Sequence, residues 1–64
     1  MTREELENAI NKVEGIGGMT GNERLFVSGL MDEFDSALKY DKDKARLILE
    51  LLGFDKPSIQ TIIT

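Results

Sequence analysis

Neither cysteine nor histidine occurs among the 64 residues of this chain. The first absence excludes a disulfide, and the two together exclude an ordinary zinc site. They also remove the commonest general base and the best side-chain nucleophile. Ser28, Ser36, Ser58 and the threonines are therefore left with no activating partner except a lysine. No apolar run is long. The longest, 47–54, is interrupted by Glu50 and falls far short of a bilayer span. The opening residues MTREELEN are polar and acidic, unlike a signal or transit peptide. The expectation is a cytoplasmic protein with no membrane partner, no metal and no cofactor.

Positive charge is also scarce. Eight basic side chains face twelve acidic ones, for a net charge of −4. Phosphate-backbone binding relies on clustered Lys and Arg, so this balance argues against a nucleic-acid partner. Lys39, Lys42, Lys44 and Arg46 do lie close together, but Asp41 and Asp43 are interleaved with them and cancel much of the local field. That segment reads as a solvated junction between helices. A chain of this length makes one domain, 1–64, which must be stabilised by helix packing, self-association or a partner.

What is present is helical periodicity. Thr2 and Glu5 form a capping box, and Leu6, Ala9, Ile10 and Val13 follow on one stripe, which predicts a helix over about 3–14 ended by Gly15. Thr20 with Glu23 offers a second box, with Asn22 as a competing cap. Beyond it, Phe26, Val27, Leu30, Met31, Phe34, Ala37 and Leu38 fall in an arc roughly 140° wide. This predicts one long helix over about 22–40, the spine of the core, with Arg24, Ser28, Asp32, Asp35, Ser36 and Lys39 opposite and Leu25 on the polar side. Asp41 is the expected N-cap of a third helix, about 42–52, ended by Gly53, with Phe54 folding back in a Schellman ending. Pro57 suits the first turn of a short last helix, about 57–63. The expected class is all-α: a compact bundle of three main helices plus a short C-terminal one.

Four glycines crowd the segment 15–21 between the first two helices. A Walker A loop needs a lysine there, and none lies between Lys12 and Lys39. A dinucleotide-binding turn needs a final glycine where this chain has Thr20, and it must follow a strand. The segment reads as a hinge, with Glu23 supplying negative charge where an anion would otherwise sit. Counting Asp41 as the first position of a calcium loop puts Arg46 at the sixth and Leu52 at the twelfth, where glycine and glutamate belong.

Two features remain as binding candidates. Asp32, Glu33 and Asp35 form an acidic ridge that would attract a basic partner, with Lys39 placed to pair with Asp35 one turn on. The third helix carries apolar residues over about 200°, more than one packing face needs, and the surplus lies at Leu47 and Leu51. There the last helix could cover them, or another helix could dock. Both features point away from an enzyme. They point towards a protein-binding module of the inhibitor, immunity or regulator type, or alternatively towards a self-associating homodimer.

The run NERLFVSGLMDEFD resembles an N-E-R-L-[FY]-x-x-G-L-x-[DE]-x-F-D opening shared by a set of small uncharacterised bacterial helical proteins, in which a leucine-rich helix follows. The likeness covers 22 to about 54. It implies a bacterial or phage-borne origin and carries no activity with it.

Overall fold

In the computed structural model, which describes residues 2–63, both capping boxes are formed. Thr2 accepts from the Glu5 N–H, and Glu5 accepts in return from the Thr2 N–H, opening α1 (Arg3–Asn11). Thr20 and Glu23 make the same reciprocal pair at the start of α2 (Gly21–Val27), so Thr20 and not Asn22 is the cap. Such a pair satisfies two backbone donors that the first turn leaves free. α1 ends at Asn11, four residues before Gly15, where the Val13 N–H turns back to the Ile10 carbonyl and tightens the chain early. A 3-10 turn, Ile16–Gly18, then leads into α2.

The predicted long helix is two helices. α2 stops at Val27, and α3 (Met31–Tyr40) starts after a sharp turn. Gly29 sits there with φ of 75°, the left-handed region that only glycine enters without strain. The Leu30 N–H donates to the Leu25 carbonyl at 3.2 Å and the Gly29 N–H to that of Phe26 at 3.1 Å, the paired bonds of a Schellman ending. The wheel drawn through 22–40 as one rod therefore fails at its N-terminal end. Leu25, expected on the polar side, is buried, while Phe26 is 76% exposed and Val27 44% exposed. Beyond the turn the pattern holds, with Leu30, Phe34 and Ala37 buried and Met31 and Leu38 half-buried against them.

α4 (Lys42–Leu51) follows at once, its first turn capped by the Asp41 side chain at the Lys44 N–H. Gly53, at φ 91°, closes it with the expected Schellman pair, Gly53 N–H to Glu50 and Phe54 N–H to Leu49. The Asp55 carboxylate accepts from the Ser58 N–H and opens α5 (Lys56–Ile63), with Pro57 in the first turn. Among the described residues there are five α-helices and no strand, so the class is all-α with one helix more than the periodicity suggests.

α4, not the 22–40 segment, is the centre of the core. It packs against α1, α3 and α5, whereas α2 packs on α3. Its Ala45, Ile48 and Leu49 are fully buried, and Leu52 just beyond it nearly so. Leu6 and Ile10 from α1, Leu25 from α2, Leu30 at the turn, Phe34 and Ala37 from α3, and Ile59 and Ile63 from α5 complete the cluster. No helix among the described residues is long and apolar enough to cross a membrane.

The two phenylalanines flanking the turn give opposite mutational outcomes. Phe34→Ala should cost about 3–5 kcal/mol, since it empties a buried site. Phe26→Ala should stay within about 0.5 kcal/mol of the parent, as at an ordinary surface position. Urea denaturation of both variants checks the pair, and a large loss at Phe26 would overturn the break at Gly29.

Candidate functional site

The glycine segment is tied down from two sides. Arg24 lies on the first turn of α2, facing back towards the segment it follows. Its Nε donates to the Met19 carbonyl at 3.1 Å, Nη2 to Gly17 at 3.2 Å, and Nη1 to Leu52 at the end of α4 at 2.8 Å. A guanidinium offers five donors in a rigid fork, so one side chain can hold the loop, α2 and the α4 terminus in register. It also places positive charge at the C-terminal end of α4, where the helix dipole favours it. The Phe54 ring lies over Gly21 so closely that a Cβ there would overlap it. Glycine is thus required at 29 for conformation, and a side chain at 21 would displace the Phe54 ring, while the space around Gly17 and Gly18 is open. The helical period places Arg24 on the polar face, and nothing in that period distinguishes a solvated arginine from one that grips distant carbonyls.

The acidic ridge separates into two parts. Asp32 and Asp35 are exposed at the outer face of α3. Glu33 is half-buried and faces α4, where its carboxylate lies 3.5 Å from Lys44 Nζ. The two free carboxylates therefore stand one turn apart, and the third belongs to the contact between α3 and α4. The Asp35–Lys39 pair expected one turn on is not formed, in keeping with the few tenths of a kcal/mol such an exposed pair is worth.

Leu47 and Leu51 are half-buried, packed against the edge of the core with part of each side chain in solvent. Three open surface grooves lie elsewhere. One of about 420 Å³ runs between α4 and α5 beside Arg46, Lys56 and Ile59, one of about 400 Å³ lies along Phe54, Pro57 and Ile62, and one of about 330 Å³ lies beside Gly21, Arg24 and Phe54. Neither leucine lines any of these three.

The face that periodicity missed is the outer side of α2. Asn22, Glu23, Phe26 and Val27 are all exposed there, while Leu25 enters the core and Arg24 turns to the loop. No family model, curated protein or solved structure matches this chain. The reading of function therefore rests on surfaces and charge.

Among the described residues no charged side chain is buried. The perturbed carboxylates at helix starts are structural caps. Glu5 is held below its ordinary value of 4.5 by the Thr2 backbone N–H and then its hydroxyl, and Glu23 likewise by Thr20. Asp55 is held below 3.8 by hydrogen bonds from Ser58. Each folded-state value lies under the unfolded one, so the contribution is present above the unfolded pKa and is lost as pH falls through the folded one. Stability should accordingly decline below about pH 4.5. A Glu5→Gln, Glu23→Gln, Asp55→Asn triple variant should show a flatter acid limb in urea titrations between pH 3 and 7. An unchanged slope would remove the caps from the account.

Proposed function

We propose that this chain is a small acidic protein-binding module, a regulator or inhibitor that engages a basic surface on a larger protein. The observation that carries the reading is the pair Asp32 and Asp35, exposed on the outer face of α3 and without an ion partner among the described residues. Carboxylates so placed raise the local concentration of a basic partner and speed its capture, an effect that salt screens. The net charge of −4 acts in the same direction at longer range.

A tagged copy used as bait in lysate of the source organism tests this reading. The expected result is one stoichiometric, salt-sensitive partner with a basic surface. Asp32→Lys with Asp35→Lys should weaken its binding at least about tenfold, mainly by slowing association. Asp32 also places a favourable charge at the start of α3, so retention of the helical signal and of the cooperative unfolding transition is checked on the same variant. Unchanged capture by a folded double variant would remove the ridge from the argument.

A second reading is favoured by the apolar fringe that Leu47 and Leu51 leave in solvent. Here two copies pair through α4, and the module is a homodimer. Light scattering decides this reading. A dimer mass that Leu47→Ser and Leu51→Ser each reduce would support it, and a monomer mass from micromolar to millimolar protein would sink it.

A further inference from the structure

We infer that the outer face of α2 is the apolar anchor of the interface. In this assignment Phe26, with Val27 beside it, inserts into an apolar pocket rimmed by positive charge on a different protein. The inference rests on the binding-module reading above and names the contact that the acidic ridge by itself lacks.

The argument starts from the fold's own needs. At the end of α2 the core takes Leu25, and the Schellman turn takes the backbone of Phe26, but neither uses the Phe26 ring, which is 76% exposed. Val27, the next residue, is 44% exposed, so the corner that leads into Gly29 presents an apolar knob made mainly by the Phe26 ring. Gly29 itself is open to solvent and has no atom near its missing Cβ, so among the described residues nothing folds over Gly29 at this corner. At about 100° per residue, Phe26 lies about 140° round the helix from Gly21, which is covered by Phe54. The knob therefore points away from the body of the molecule.

The helix that carries the knob is fastened from behind. Arg24, on the inner side of the same short helix, binds carbonyls of Gly17, Met19 and Leu52. The backbone beneath Phe26 is thereby tied to the loop and to the end of α4, and aromatic side chains that become buried dominate interface energetics.

Charge selects the occupant. Glu23 lies three residues before Phe26 on the same face, and its carboxylate is fixed by the Thr20 N–H at 3.1 Å. The only basic residue of α2, Arg24, has its guanidinium turned inward, so the outer face carries negative charge alone. A second copy of the chain would bring a further net charge of −4 to that face. A pocket with a lysine or arginine rim complements it, and a like-charged surface is rejected.

The test places p-benzoylphenylalanine at position 26 in the source cells, then titrates the crosslinked protein, once purified, against the wild-type chain and its variants. The expected result is one heterologous protein whose affinity Phe26→Ala lowers about 30-fold. Val27→Ser should lower it less. Glu23→Gln should flatten its salt dependence, with Thr20→Val as the control for loss of the cap. Crosslinks that join only two copies of the chain, no crosslink at all, or equal affinity of Phe26→Ala and wild type would each overturn the inference. Asp32→Lys with Asp35→Lys, measured on the same partner, separates the two ideas. A loss there with none at Phe26 sinks the anchor and spares the ridge, whereas the converse supports the anchor and sinks the ridge.

Discussion

A left-handed residue at Gly29 is the constraint on which the rest of the structure turns. It lets the chain leave α2 through a Schellman pair and start α3 in a new direction. Without it, 22–40 would continue as one rod, with the Phe26 and Leu30 side chains on the same face. With it, Leu25 and Leu30 both enter the core, and Phe26 and Val27 are turned out of it. A side chain with a Cβ would resist that backbone conformation, so a single residue type separates the core-facing set from the solvent-facing set.

The break also explains why α4 holds the central position. A rod over 22–40 would present one long stripe, whereas two shorter helices leave α3 alone to pack along α4, with α1 and α5 on its other sides. The wide apolar arc of α4 is what three neighbours require, and it is largely consumed by them: Ala45, Ile48 and Leu49 are inaccessible, while Leu47 and Leu51 sit at the margin. α2 is then peripheral by packing, and polar bonds compensate. Arg24 spans 28 positions of sequence to reach Leu52, joining the glycine segment to the far end of α4. Hydrogen bonds from a charged donor are worth more than neutral ones, which suits a contact that must replace missing apolar area.

Function, in this view, follows from what the core does not use. The inner sides of α2 and α3 are committed to Arg24's bonds, Leu25, Phe34 and the Glu33–Lys44 pair. Their outer sides carry Glu23, Phe26, Val27, Asp32 and Asp35. An aromatic anchor combined with like-signed carboxylates is the composition of a surface that binds by burial at its centre and by attraction at its rim. Both proposals concern that one stretch of sequence, from opposite ends of the Gly29 turn.

The elements themselves were legible because their signals are local. Thr2 with Glu5, Thr20 with Glu23, Asp41, and Gly53 each act within a single turn, and each does in the structure what its residue type and spacing imply. The all-α class follows from the same information. The candidate site was legible only in part, since Asp32 and Asp35 are exposed as the wheel placed them but Glu33 is half-buried beside Lys44, a residue on another helix. Gly29 was visible, yet a glycine within an apolar period can be a helical residue or a terminator, and hydrophobic spacing does not distinguish them. Tertiary packing decided that point: with α2 ended there, Leu25 and Leu30 both reach the core, and Phe26 and Val27 are left outside it. The sequence by itself determined the caps, the class and the acidic charge. The tertiary structure alone decided which side of α2 faces water, because that depends on where α4 and Phe54 lie.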